Sequence, residues 1–166
     1  KYNYINHMKK ITLIILVLFV YNCGYSSVYK NQKTQEFRVN IIEINGDIDM
    51  NNLIKNEINL YTNKESTNIY DLKIDTNYKK EILTKDSSGV ITDYSLSVSS
   101  VFRLNIKNIN QTFKLEENIN IKNQSDNFAQ DIYENNIKRN FASSIREKFL
   151  SKVVNLESKI IKLDDN

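Results

Sequence analysis

The patterns along the chain predict an α+β domain: a four-stranded, mostly antiparallel sheet with two amphipathic helices packed on one face, in the order β-α-β-β-β-α. Three observations carry that expectation. Residues 69–122 alternate apolar and polar side chains through three successive runs. Two stretches, near 50–61 and 128–156, repeat apolar residues at three- and four-residue steps. A β-branched run at 36–44 precedes the first of these helical patterns.

The elements follow in order. Glu36 to Ile44 (EFRVNIIEI) reads as the first strand and stops at the turn signal Asn45-Gly46. Asp49 can cap a helix of about 49–63, in which Met50, Leu53, Ile54, Ile58 and Tyr61 form one stripe. From Ile69 to Leu83, Tyr70, Leu72, Ile74, Thr76, Tyr78 and Ile82 share one parity, and Asp71, Lys73, Asp75, Asn77, Lys79 and Glu81 hold the other. Lys85 to Gly89 is the hairpin turn. The return strand alternates likewise from Tyr94 to Ile106, with Val101 as an exception on the polar face. A second turn at Asn108–Asn110 leads to a strand carrying Phe113, Leu115, Ile119 and Ile121 on its apolar side.

Ser125 or Asp126 can cap the last helix. Its stripe is Phe128, Ile132, Ile137, Phe141, Ile145, Phe149, Val153 and Leu156, and its end falls near 157. The domain thus covers 36–157, and 158–166 is expected to be a frayed charged tail. One apolar sheet face needs one cover, which the two helices supply. The polar face stays free for solvent or a partner. The direction of the first strand is left open by the sequence.

The 166 residues suffice for one domain. With three Gly and no Pro, frequent Asn must supply the turns. Residues 1–22 read as a signal peptide whose true start is Met8: Lys9 and Lys10 precede an apolar run from Ile11 to Val20. That run is shorter than the roughly 20 residues a spanning helix needs. Cys23, the only Cys, follows directly and resembles the acylated acceptor site of bacterial lipoproteins. Residues 23–35 are then a lipidated tether, held by acyl chains contributing about 0.8 kcal/mol per buried methylene. An uncleaved short anchor or a buried structural Cys are the other readings. Gly24 after the Cys resembles the pattern for sorting to the outer membrane.

The formal net charge of +3 rests on Lys1, Lys9 and Lys10; the chain from Cys23 onward is neutral. No bulk attraction to nucleic acid is expected. The sole His, His7, also lies upstream, so the mature chain lacks an imidazole for catalysis. No metal-ligand cluster or Gly-rich phosphate loop is present in the sequence, and no cofactor is expected. Glu116 and Glu117, adjacent on a strand, point to opposite faces and make a poor carboxylate pair. The chain reads as a binding domain and not an enzyme. Lys79, Lys80 and Lys85 gather near the first hairpin, and Arg103 and Lys107 lie outward on the third strand. They are either a solvated face that protects sheet edges or contacts for the phosphates of an anionic ligand.

The whole layout resembles the LptE family of lipopolysaccharide-assembly lipoproteins. The resemblance is carried by Cys23-Gly24-Tyr25, the order β-α-β-β-β-α, the long hairpin (IYDLKIDTNYKKEIL returning as DYSLSVSSVFRLNI) and the Ala-containing last helix with Phe128-Ala129 and Phe141-Ala142. It covers residues 8 to about 156. It implies a protein on the periplasmic face of the outer membrane, lipid-anchored, that plugs and helps assemble an LptD-like β-barrel and assists lipopolysaccharide delivery. Arg103, Lys107, Lys79, Lys80 and Lys85 become the candidate lipopolysaccharide contacts, Arg103 first. Other readings are an adaptor of a secretin or barrel-insertion machine, or a lipid-binding carrier. The carrier needs a cavity, which Phe141, Phe149, Phe102 and Phe113 are expected to fill.

Overall fold

A computed structural model describes residues 37–106 and 109–164, with side chains as far as residue 160. Six elements follow in the expected order: β1 (Arg38–Gly46), α1 (Ile48–Tyr61), β2 (Ile69–Lys85), β3 (Ile91–Ile106), β4 (Ile109–Lys122) and α2 (Asn127–Asp164). The strands lie side by side in sequence order. β1 runs parallel to β2, and the other two junctions are antiparallel. A parallel pair needs a crossover long enough to bring the chain back, and α1 provides it. The expected signal peptide, Cys23, the tether to 35 and Lys107 lie outside the described residues.

The turn into α1 is tighter than the sequence suggested. Gly46 adopts φ +91, and an added Cβ would lie 1.9 Å from the Thr76 carbonyl oxygen. The next amide, of Asp47, donates to that same oxygen at 2.8 Å. The helix therefore begins at once, and Asp47, not Asp49, is its cap: Asp47 Oδ1 accepts from the Met50 amide at 2.8 Å. Asp49 sits in the first turn, where its charge favours the helix dipole. Met50, Ile54 and Ile58 are buried, as their spacing predicts.

β1 carries a bulge the sequence did not signal. Its register with β2 shifts between Ile41 and Glu43. Ile42 is the extra residue, and it is left exposed on the polar face.

Alternation in the meander is realised. Leu72, Ile74, Leu96, Val98, Phe102 and Leu104 are buried on the helix side. Thr76 and Ser100, also on that side, satisfy one another at 3.0 Å. At the hairpin Asp86 Oδ1 accepts from the amides of Ser88 (2.8 Å) and Val90 (3.0 Å), and Gly89 takes φ +85. The second turn is shorter than expected: Ile109 and Asn110 already pair with Ile106 and Asn105 in the β3–β4 ladder.

The core lies between sheet and helices. Phe102 stands 5.7 Å from Phe113 and 5.2 Å from Phe149, ring centre to ring centre, and Phe141 is buried along the same helix. The rings of Phe102, Phe113 and Phe149 pack against one another between the sheet and α2.

Asp126 caps α2, its Oδ2 accepting from the Ala129 amide at 2.9 Å. Two expectations for this helix are corrected. Phe128 and Ile132 do not join its buried stripe; they are 70% and 47% exposed. The five-residue step from Ile132 to Ile137 turns the helix by about 140°, away from the line of the later stripe. Gln130, buried and accepting from the Gln124 amide, and Glu134, bonded to Tyr78 on β2, take the inward positions there instead. The helix also runs past 157 to Asp164 in place of a frayed tail. Glu157 accepts from Tyr70 Oη on β2, and Ile160 is buried, so contacts beyond the expected end hold it. No helix among the described residues is long and apolar enough to cross a membrane.

Candidate functional site

Both helices pack on one sheet face, so the candidate site is the opposite, polar face. Strand register assembles it row by row. One row crosses all four strands as Glu43, Lys73, Arg103 and Thr112. Lys73 and Arg103 sit directly opposite one another, two like charges that repel unless an anion joins them. Glu43 partly meets that need. Its Oε2 lies 2.7 Å from Lys73 Nζ, and its Oε1 accepts from Asn45 Nδ2 at 2.9 Å. These hydrogen bonds, then the Lys73 and Arg103 charges, hold the Glu43 carboxyl below its ordinary range against a small opposing effect of burial.

Arg103 is left over. Its guanidinium forms no ion pair or hydrogen bond with another described residue, and the residue is exposed. It lines a shallow depression of about 310 Å³ together with Ile42, Asp71, Lys73, Asn105 and Thr112. Ile42 reaches this face only because of the β1 bulge. The depression joins an apolar side chain, amide groups and a free planar cation. Such a cation can bind a carboxylate or phosphate through two parallel hydrogen bonds. Asp71, which accepts from Asn40 Nδ2 at 2.8 Å, brings an opposing charge to the same face.

A second depression, of about 370 Å³, lies further along the same face between Asn77, Lys79, Ser97, Ser99, Lys114 and Glu116. Lys114 is paired with Glu116 at 2.6 Å, whereas Lys79 has no ion-pair partner among the described residues. From Lys73 to Lys79 is six residues along β2, about 20 Å at strand spacing. Arg103 and Lys79 thus share a face without forming one cluster.

The other expected contacts separate. Lys80 is on the helix side: its Nζ lies 2.7 Å from Glu134 Oε2 and 4.5 Å from the centre of the Tyr94 ring. Its position follows from strand alternation, which puts neighbours Lys79 and Lys80 on opposite faces. Lys85 is exposed at the hairpin end of β2. Glu116 and Glu117 do point apart. Glu117 turns inward to Lys148 (2.7 Å) and Ser144. Burial works to raise its carboxyl, but those two partners outweigh it and the value is lowered.

Sequence reading overlooked Lys73 and Glu43. The signal for Lys73 was present: counting back equally from the Asp86–Gly89 turn sets it opposite Arg103. Glu43 could not be found in that way, because its place depends on the parallel direction of β1 and on the bulge.

No family model matches the sequence, and no curated protein sequence matches it. Solved structures do. A putative lipoprotein from Caulobacter crescentus CB15 matches over 72% of this chain and 91% of its own, at 13% identity and a TM-score of 0.53. The rare lipoprotein B from Shewanella oneidensis matches over 73% of this chain and 98% of its own, at 13% identity and a TM-score of 0.56. At such identities the likeness is one of fold: this chain shares the α+β architecture of these two solved structures.

Proposed function

We propose that this chain is a lipid-anchored envelope protein of the LptE type, which plugs a lipopolysaccharide-translocating β-barrel, assists its assembly and contacts the passing lipopolysaccharide. The observation that carries the reading is the two-sidedness of the sheet. One face is covered by helices, and the other is an exposed polar lattice with an unpaired guanidinium at Arg103. Barrel interiors of this class are polar, so a polar sheet face complements the wall. Cys23 carries the acyl anchor and the apolar run before it directs export, and the fold shared with the two solved structures agrees with that role. The work proposed is scaffolding and not catalysis, at the periplasmic face of the outer membrane.

The test is an affinity pull-down of a C-terminally tagged chain from its native envelope, followed by mass spectrometry. A stoichiometric large outer-membrane barrel is the expected result. Recovery of a soluble machine, or of the chain alone, overturns the plug reading. Cys23→Ser should release the chain from membranes; retention at high salt would count against the acyl anchor.

A further inference from the structure

β4 forms an outer edge of the sheet. Exposed edges invite pairing with another strand, and folded chains commonly blunt them with Pro, bulges, brevity or charged side chains. β4 has no Pro or bulge and is not short, and its exposed charges at Lys114 and Glu116 are opposite in sign. It is 14 residues long, lacks Gly and Pro, and pairs with β3 in one unbroken register. Among the described residues one helix side chain bonds to its backbone: Lys148 Nζ, from α2, donates to the Glu116 carbonyl at 3.1 Å. That lysine is half exposed and is also paired with Glu117 at 2.7 Å, so strand pairing here must displace it from the Glu116 carbonyl.

We propose that β4 pairs antiparallel with β4 of a second copy of this chain, about a two-fold axis through Leu115, to give a continuous eight-stranded sheet. The charges select this register. Pairing must keep the polar and apolar faces aligned, so adjacent allowed registers differ by two residues. Centring the axis on Lys114 or Glu116 sets that charge against itself, which is unfavourable. Centring it on Leu115 places each Lys114 opposite the partner's Glu116. Both side chains are more than half exposed, on the polar face. In the same register Thr112 meets the partner's Asn118, and Asn110 meets the partner's Asn120, pairs able to hydrogen-bond. On the helix side Ile109 meets the partner's Ile121, and Leu115 meets itself. The inference rests on this strand alone and not on the function proposed above.

The test uses the purified full chain in mild detergent, carrying Cys23→Ser so that introduced thiols are the only ones. Thr112→Cys with Asn118→Cys puts cysteines on facing strands about 5.5 Å apart between Cα atoms, within disulfide range. Oxidation should yield a covalent dimer. Moving the second thiol to Asn120→Cys, which suits the register centred on Glu116, should yield far less. Without added thiols, Lys114→Glu and Glu116→Lys should each weaken association about tenfold or more in sedimentation, with the swapped double variant restoring it. Unchanged circular dichroism melts show that the variants fold. A monomer at every concentration, equal cross-linking in both placements, or no rescue by the swap overturns the proposal. So does cross-linking solely to a foreign protein when the oxidation is repeated in the native envelope, which would assign the edge to another strand.

Discussion

Lys80 on β2 and Glu134 on α2 are joined at 2.7 Å, and the same carboxylate accepts from Tyr78 Oη at 2.8 Å. Lys138 completes the arrangement, its Nζ 4.6 Å from the Tyr78 ring centre. With Phe128 and Ile132 turned outward, this polar clamp does for the first half of α2 what apolar packing does for the second. It also explains a raised Tyr78 hydroxyl: burial, then the bond to Glu134, disfavours its ionised form.

Truncating Glu134 should therefore loosen the helix. Glu134→Ala leaves the Tyr78 hydroxyl and two lysines without their partner, and should cost about 1–3 kcal/mol in urea unfolding. Tyr78→Phe on top of it should add less than it does alone, because both act on one network.

The clamp also sets an acid response. Burial tends to raise the Glu134 carboxyl, but the Lys80 and Tyr78 hydrogen bonds and the Lys80 and Lys138 charges outweigh it, and the value falls below the ordinary 4.5. A carboxyl lowered by folding contributes stability in full above its unfolded value and loses it as pH falls through the folded one. Urea midpoints should thus drop as pH goes from about 4.5 downward. Glu134→Gln should reduce the drop, and Glu117, lowered likewise, should account for part of what remains.

The two described glycines with positive φ should differ in tolerance. Gly46→Ala drives a Cβ into the Thr76 backbone and should cost roughly 2–5 kcal/mol by strain and overlap together. Gly89→Ala meets nothing within 4 Å and should cost only the backbone strain, about 1–2 kcal/mol. Thermal melts of the pair would separate the two effects.

In the core, Phe149→Ala removes a fully buried ring that touches both Phe102 and Phe113, and should cost about 3–5 kcal/mol. Phe128→Ser, on the exposed side of the same helix, should stay within about 0.5 kcal/mol. Equal losses for both would contradict the observed phase of α2.

Arg103→Glu reverses the unpaired cation of the polar face. Lipopolysaccharide binding should weaken about tenfold or more, with an unchanged melting temperature. Unaltered binding would mark Arg103 as an ordinary solvated residue.

The meander was legible because alternation has a period of two and the Asp86–Gly89 turn fixes its register. That same register carried Arg103 to its correct face. Three features were not legible. The β1 bulge leaves no mark in a run of β-branched residues, so the exposure of Ile42 could not be foreseen. The parallel direction of β1 depends on how α1 crosses the sheet, which is a tertiary matter. The phase of α2 was misread because Phe128 and Ile132 are apolar yet stand outside its stripe, while Gln130 and Glu134 turn inward to polar partners.

The parallel pairing of β1 also imposes a timetable. β1 is the first described strand to leave the ribosome or a membrane pore, yet its ladder partners lie between Ile69 and Thr76. Until they emerge it has nothing to join. The β1–β2 ladder spans about 30 residues at every rung, because α1 lies between its strands, whereas the hairpin ladders narrow toward their turns. The described strand nearest the proposed anchor therefore cannot be locked into the sheet until the chain as far as Thr76 is available.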